Sequence, residues 1–160
     1  MPIDRNELRR VMGHFATGVT VITTISKEGE MHGLTANAFT SVSLEPPLLL
    51  VSVDKKAESY PHFESSRVFT VNILAEDQEA LSRKFAVSGG GSKKFDGVAY
   101  RRGANGAPIL EGALSYIECG LYAAYDGGDH TIYLGEIQQA EITEGKPLVF
   151  FRGGYRSLGD

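Results

Sequence analysis

The chain has 160 residues, 42% of them hydrophobic and 22% charged, which is enough for one domain with a hydrophobic core. A net charge of −4 and scattered basic pairs argue against nucleic-acid binding. No apolar run is long enough to span a bilayer, the first residues carry no secretory signal, and the single Cys119 excludes an internal disulfide. We therefore expect one cytoplasmic domain, residues 1–160, that binds neither nucleic acid nor membranes.

The first segment predicts a helix. Asp4 is suited to the N-cap, with Glu7 three residues later, and Gly18 is expected to end the helix. One apolar helical face follows the cap at spacings of three and four residues, formed by Leu8, Val11, Met12 and Phe15. The β-branched run 19–25 predicts a strand, and 27–30 predicts a hairpin turn.

The segment from Gly33 to Lys55 contains two patterns separated by Glu45-Pro46-Pro47, where we expect a bend or a strand start. The unbroken apolar run 48–53 predicts a strand that is buried on both faces. The earlier part alternates apolar residues with small polar ones, namely Thr35, Asn37, Thr40, Ser41 and Ser43. Two interpretations remain open: an ordinary Ser/Thr-rich edge strand, or a surface that hydrogen-bonds a flat polar ligand.

The rest of the chain predicts further strands and short helices that are joined mostly by tight turns. Strands are expected at 68–74, 114–125, 130–142 and 148–151, and helices at 57–66 and 76–85. Six or more antiparallel strands favour closure into a barrel, because closure removes exposed edges. The GxxxxGK[ST] and GxGxxG motifs are absent, so neither a Walker nor a Rossmann nucleotide site is encoded.

Three segments in fixed order, ATGVTVITT, the 33–55 segment and GGDHTIYLGEI, together with a final YRSL, resemble the short-chain flavin reductase family. These are the reductase components of two-component flavin monooxygenases. The resemblance implies a mainly β fold, specifically a six-stranded antiparallel Greek-key split β-barrel with a few short flanking helices. It also implies a homodimer with flavin near the subunit interface.

The activity implied by the resemblance is that of an NAD(P)H:flavin oxidoreductase. Such an enzyme reduces FMN or FAD by hydride transfer from NADH or NADPH, and supplies reduced flavin to a partner flavin-dependent monooxygenase. Two alternatives remain open: a non-enzymatic flavin-binding electron-transfer module on the same fold, or a split-barrel protein that binds pyridoxal phosphate or haem.

The resemblance also assigns the cofactor-binding residues in four groups. The isoalloxazine ring is expected along Thr35, Ala36, Asn37 and Ala38, with Ser41 and Ser43 nearby. The ribityl-phosphate is expected at Ser52, Val53, Asp54, Lys55, Lys56 and Ser59. A region that closes over the flavin tail contributes Phe85, Ser92, Lys94 and Phe95. The terminal motif near the nicotinamide contributes Tyr155 and Arg156.

His130, in the GDH sequence, is the catalytic residue that the resemblance implies. It is expected to support the reduced flavin by a hydrogen bond or by charge, or to relay a proton. The other histidines have no metal-ligand spacing with His130 or Cys119, so we predict no metal site. Cys119 is expected to be a buried small hydrophobic residue of a strand.

Overall fold

The computed structural model describes residues 2–159, which form a mainly β fold with three α-helices. The helices are α1 Arg5–Met12, α2 Tyr60–Ser66 and α3 Glu79–Ala86, and a 3₁₀ helix spans Gly91–Phe95. The strands are β1 Thr17–Gly18, β2 Thr20–Ile25, β3 Met31–Ala36, β4 Phe39–Leu44, β5 Pro47–Asp54, β6 Val68–Ile73, β7 Tyr100–Arg102, β8 Pro108–Leu110, β9 Ser115–Gly127, β10 His130–Ile142, β11 Val149–Phe151 and β12 Gly154–Arg156.

The main sheet is antiparallel and has seven strands in the order β3-β2-β6-β9-β10-β5-β4, rather than the six strands predicted. The extra strand arises because the segment before the proline pair is interrupted at Asn37-Ala38 and forms two strands, β3 and β4, at opposite edges of the sheet. Smaller sheets have the orders β1-β11-β12 and β7-β8. The β7–β8 hairpin was not predicted, since its short strands flank a turn-rich segment that resembles a loop in sequence.

The two outer strands of the main sheet, β3 and β4, are consecutive in the chain and are separated only by Asn37 and Ala38. Because consecutive Cα atoms lie about 3.8 Å apart, the two edges of the sheet must approach each other at this connection. The connection is fixed on both sides: Thr20 Oγ1 donates to the Ala36 carbonyl at 2.7 Å, and Ser52 N donates to the Ala38 carbonyl at 3.1 Å.

Helix α1 is capped as predicted but is shorter than predicted. The Asp4 carboxylate accepts hydrogen bonds from the backbone N–H groups of Asn6 and Glu7, while Gly13, not Gly18, caps the C-terminal end. The helix cannot reach Gly18 because Thr17 and Gly18 pair with β11. The predicted apolar face, which continues past the helix to Phe15, is largely exposed: Met12 is 64% exposed and Phe15 75% exposed.

The core lies on both faces of the central strands. Successive strand residues point to opposite faces, so Ile22 packs in one buried cluster with Phe63 and Phe69, and Val21 packs in another with Leu74. Strand β5 is largely buried as predicted. Cys119 is fully buried in the first cluster, and burial raises the pKa of its thiol to about 12, which confirms it as a structural residue.

The remaining predictions of local structure agree closely with the fold. Strand β10 has the predicted bounds, and Pro61 lies in the first turn of α2. Helix α3 begins at Glu79, three residues later than expected. None of the helices in residues 2–159 has the length and apolar character needed to cross a bilayer.

Candidate functional site

Two cavities lie on either side of the β3–β4 connection. The larger one, about 650 Å³, is called the large cavity and is lined by Asn37, Ala38, Phe39 and Thr40 together with residues of the α1–β2 region. The second, about 290 Å³, is called the Ser59 cavity and lies between the end of β3, the segment after β5 and the end of α3. The predicted ring-binding segment therefore divides between two adjacent cavities.

The large cavity combines a polar rim with an apolar wall. The Asn37 side chain is exposed at its edge, and in residues 2–159 no hydrogen bond occupies its amide. Met12, Phe15 and Leu50 supply apolar surface. The Thr17 hydroxyl is buried and has no hydrogen-bond partner among the residues that the structure describes. A free amide beside apolar walls suits a flat ligand that has polar edges.

The Ser59 cavity contains the main features of an anion site. The Ser59 hydroxyl is buried, with the residue only 3% exposed, and it has no hydrogen-bond partner within residues 2–159. Buried hydroxyls are normally satisfied, so this group is suited to a ligand. Lys56 and Lys94 line the same cavity. Two ammonium groups and one free hydroxyl donor suit a phosphate.

Two carboxylates, those of Asp54 and Glu58, also line the Ser59 cavity. One oxygen of Asp54 accepts the backbone N–H of Lys56 at 2.8 Å, which fixes the turn after β5. Glu58 lies close enough to Lys94 to raise the pKa of its ammonium, but burial has the larger effect and lowers that pKa overall. A partly desolvated ammonium gains more from a bound anion than a fully hydrated one does.

Lys55, predicted as a phosphate ligand, lies outside the Ser59 cavity. Its ammonium forms an ion pair with Asp126 on β9, which raises the pKa of Lys55 and lowers the pKa of Asp126. Its backbone N–H donates to the Asp129 carbonyl at 3.0 Å. Lys55 therefore ties the end of β5 to the β9–β10 hairpin, and Lys56 and Lys94 are the cations available to a ligand in this cavity.

His130 is the first residue of β10, directly opposite Asp54 on β5. Its Nδ1 lies 2.7 Å from an Asp129 carboxylate oxygen, and this hydrogen bond lowers the pKa of Asp129. The side chain is 40% exposed and lines neither the large cavity nor the Ser59 cavity. Because Nδ1 is engaged by the carboxylate, Nε2 is the ring nitrogen left for a ligand.

The aromatic residues predicted over the flavin tail are partly brought to the site. Phe85 lines the Ser59 cavity, and Phe95 packs edge-on against it with ring centroids 5.0 Å apart. The two rings leave little room at Gly33, where a Cβ would lie 3.0 Å from the Phe85 ring. Ser92 is exposed on the 3₁₀ helix and lines neither of the two cavities.

Tyr155 is connected to the site through α3. Its hydroxyl lies 2.6 Å from the Ser82 hydroxyl, and the Thr35 hydroxyl donates to the Ser82 carbonyl at 2.6 Å. The Arg83 guanidinium stacks over the Tyr155 ring at 4.8 Å. Arg156 is exposed and donates to the Tyr155 carbonyl.

Four predicted cofactor-binding residues on β4 and β5 contribute no side chain to either cavity: Ser41, Ser43, Ser52 and Val53. Val53 is fully buried in the first core cluster, and Ser52 contributes only its backbone N–H, to the β3–β4 connection.

Some residues at the site were missed from the sequence or assigned another place. Glu58 and the chain segment 86–89 line the Ser59 cavity, and only their proximity to Lys56 and Lys94 in sequence hinted at this. Met12 and Phe15 were predicted as part of one apolar helical face without a role at the site, and they line the large cavity. No cluster of His, Cys, Asp and Glu residues capable of holding a metal ion is found in residues 2–159.

Comparison with known proteins relates this geometry to a family. The model of the family described as "Flavin reductase like domain" matches residues 12–159. An NADH-dependent flavin reductase from a Rhodococcus species is 44% identical over 155 residues, covering 94% of this chain and 85% of the relative. The reductase subunit of a flavin-dependent monooxygenase from Rhodococcus jostii is 41% identical, covering 98% of this chain and 79% of that protein.

A solved structure agrees with the sequence matches. The NADH:FAD oxidoreductase of Streptomyces globisporus, solved in complex with NAD and FAD fragments, superposes with a TM-score of 0.92 and 41% identity, covering 98% of this chain and 93% of that chain. Both the sequence and the whole fold therefore match, and the resemblance noted in the sequence is confirmed. The chain belongs to the flavin reductase like domain family.

Proposed function

We infer that this protein is an NADH-dependent flavin reductase that supplies reduced flavin to a partner oxygenase. The matches to an NADH-dependent flavin reductase and to a monooxygenase reductase subunit favour an enzyme over a non-enzymatic flavin-binding module. The observation that carries the proposal is the Ser59 hydroxyl, which is buried without a hydrogen-bond partner in residues 2–159 and shares its cavity with Lys56 and Lys94. The alternatives of haem and pyridoxal phosphate have no comparable support.

The residues present fit a flavin phosphate and a flavin ring. We propose that Ser59, Lys56 and Lys94 hold the phosphate, and that the Asn37 amide orients the polar edge of the ring. A flavin held by these residues would supply the hydride-accepting chemistry, while the protein supplies binding and orientation. The side chains of Met12, Phe15 and Leu50 give the large cavity an apolar wall against which a ring can pack.

His130 has a separate proposed role. Its Nδ1 contacts Asp129, so the ring is held in one orientation and Nε2 faces away from that carboxylate. A fixed imidazole can donate a hydrogen bond to an electron-rich ring or hold a proton for it. We propose that His130 acts on the reduced flavin from the hairpin end, near Asp54.

The exposed apolar surface of the chain bears on the oligomeric state. We propose a homodimer whose interface includes the exposed apolar face of α1, because Val11, Met12 and Phe15 are all exposed and unpartnered by the described chain. A monomer at micromolar concentration in sedimentation equilibrium would count against this homodimer.

The curled main sheet, whose edge strands are consecutive in the chain, supports a split β-barrel as the architecture. We further propose that the protein works in the cytoplasm, which is consistent with its free, buried cysteine.

The activity is tested by following NADH oxidation at 340 nm with purified protein, with and without added FAD or FMN, alongside NADPH. We expect turnover that depends on added flavin and is faster with NADH. Anaerobic reduction of bound flavin without repeated turnover would indicate the electron-transfer module instead. No flavin-dependent oxidation with either donor would refute the proposed function.

A further inference from the structure

The Ser59 cavity is lined by as many negative side chains as positive ones, although it is proposed to hold a phosphate. Its charged lining residues are Lys56, Lys94, Asp54 and Glu58, two of each sign, so their formal charges cancel. A carboxylate beside a phosphate acts against binding, because like charges repel each other. The two carboxylates therefore oppose the ligand that the two ammonium groups and the Ser59 hydroxyl attract.

The carboxylate of Asp54 stabilises the fold, whereas that of Glu58 has no such role. One Asp54 oxygen accepts the backbone N–H of Lys56 at 2.8 Å, which fixes the turn after β5. Within residues 2–159, neither a salt bridge nor a side-chain hydrogen bond engages the Glu58 carboxylate. The turn therefore explains why Asp54 is present, while no contact of these kinds in the described chain explains Glu58.

The Glu58 carboxylate faces the glycine-rich loop after α3. A Cβ at Gly91 would lie 3.0 Å from Glu58 Oε1, and a Cβ at Gly89 would lie 4.0 Å from Oε2. The charge of the carboxylate also reaches Lys94 and His32, because it raises the pKa of both, although burial is the larger effect and lowers both pKa values overall. The carboxylate therefore lies between the start of α2 and the loop after α3, among the side chains of the cavity.

A phosphate bound to the Ser59 hydroxyl lies within range of the Glu58 charge. The two residues are adjacent in sequence, with Cα atoms about 3.8 Å apart, and both line one cavity of about 290 Å³. Charges interact over a screening length of about 10 Å at 0.1 M salt. Because a phosphate monoester carries a charge of about −1.5 to −2 at pH 7, Glu58 repels it and competes with it for the ammonium group of Lys94.

We propose that Glu58 limits the affinity of the Ser59 cavity for the flavin phosphate, so that flavin exchanges as a substrate instead of remaining bound as a prosthetic group. The inference rests on the proposed function, in which reduced flavin has to leave for a partner oxygenase. Ser59, Lys56 and Lys94 attract the phosphate, and Glu58 sets the upper limit of the affinity that they produce. The effect is confined to the phosphate end of the ligand, because riboflavin, which lacks the phosphate, is uncharged.

The test compares wild type with Glu58→Gln and Glu58→Ala. Glutamine keeps the size of the side chain and removes its charge, while alanine also removes its hydrogen-bonding groups, so an effect that both variants share comes from the charge. Glu64→Gln is the matched control, because it changes the net charge by the same amount. Glu64 is exposed on α2 and lines neither the large cavity nor the Ser59 cavity. Melting temperatures establish that each variant is folded.

FMN and riboflavin are each titrated into flavin-free protein, and binding is followed by flavin fluorescence. We expect both Glu58 variants to lower the dissociation constant of FMN about three- to tenfold and to leave that of riboflavin unchanged. The difference between variant and wild type should shrink at about 1 M salt, because the screening length falls there to about 3 Å. Glu64→Gln should bind both ligands like wild type.

Equal FMN affinity in wild type and both folded Glu58 variants would overturn the inference. Weaker binding of both FMN and riboflavin would also overturn it, because Glu58 would then hold an uncharged part of the flavin, such as a ribityl hydroxyl. An equal gain for both ligands would overturn it as well, since the change would then act on the shape of the cavity. Failure of the proposed function has a different result: wild type would neither bind FMN nor oxidise NADH in its presence.

Discussion

Replacing Ser59 with alanine has opposite effects on the free protein and on the flavin complex. Within residues 2–159 the Ser59 hydroxyl is buried without a hydrogen-bond partner, and as the N-cap of α2 it makes no capping hydrogen bond. Removing a buried hydroxyl that has no partner relieves a desolvation cost of about 1–3 kcal/mol. The same removal deletes a hydrogen bond to the proposed flavin phosphate. Ser59→Ala is therefore expected to melt higher without flavin and to bind flavin more weakly.

The two magnitudes are large enough to measure. A gain of about 1 kcal/mol raises the melting temperature of a domain of this size by roughly 2–4 °C. A lost hydrogen bond to a charged group weakens binding by about 1.5–3 kcal/mol, which is roughly a 10- to 100-fold rise in the dissociation constant. Differential scanning calorimetry on flavin-free protein and fluorescence titration with FMN measure these quantities independently.

Ser26→Ala is the matched control. Ser26 is also buried, but its hydroxyl accepts hydrogen bonds from the backbone N–H groups of Glu28 and Glu30 at 3.2 and 3.0 Å. Its removal is expected to lower the melting temperature and to leave flavin affinity unchanged. If Ser59→Ala melts lower than wild type and binds FMN with wild-type affinity, the assignment of this hydroxyl to a ligand is wrong.

Three other changes test separate parts of the structure. His130→Ala should slow flavin reduction by NADH about 100-fold in anaerobic stopped flow, while its flavin affinity stays within a few fold of wild type. If the variant reduces flavin at the wild-type rate and only melts at a lower temperature, His130 has a purely structural role. Burial and the stacked His62 lower the pKa of His32 despite opposing effects of Glu58 and Glu30, so the unfolded chain binds more protons below about pH 6.5. The free energy of unfolding should therefore fall from pH 7 to pH 5. This fall should be smaller in His32→Gln than in the control His14→Gln, and an equal fall in both variants would contradict the prediction. Gly135→Ala should cost about 1–3 kcal/mol in urea unfolding, because its Cβ would lie 2.5 Å from Phe69 and 2.8 Å from Cys119, whereas Gly18→Ala meets open space and should be nearly neutral.

The parts of the site that were predictable are those that depend on contiguous chain. Thr35, Asn37 and Ala38 lie where the small-polar pattern indicated, at the point where β3 gives way to β4. The Lys-rich end of β5 reaches the Ser59 cavity, which Lys56 lines, whereas its neighbour Lys55 pairs with Asp126. A difference of one position in a strand end decides which way a side chain points, and no pattern in the sequence marks Asp126 as a partner.

The sequence by itself determined where the chain turns and what each segment can become. The turn at 27–30, the turn predicted at 126–129 and found at 128–129, and the break at Pro46 follow from glycine and proline, whose effects on φ are local. The bounds of β10 follow from residue type. Only the tertiary structure decided the strand order, the exposure of the α1 apolar face, and the meeting of Glu58 with Lys94 in one cavity. Those outcomes depend on which distant segments pack against each other and bury each other's surface. This packing is decided cooperatively by the free energy of the whole fold, so no local sequence pattern predicts it.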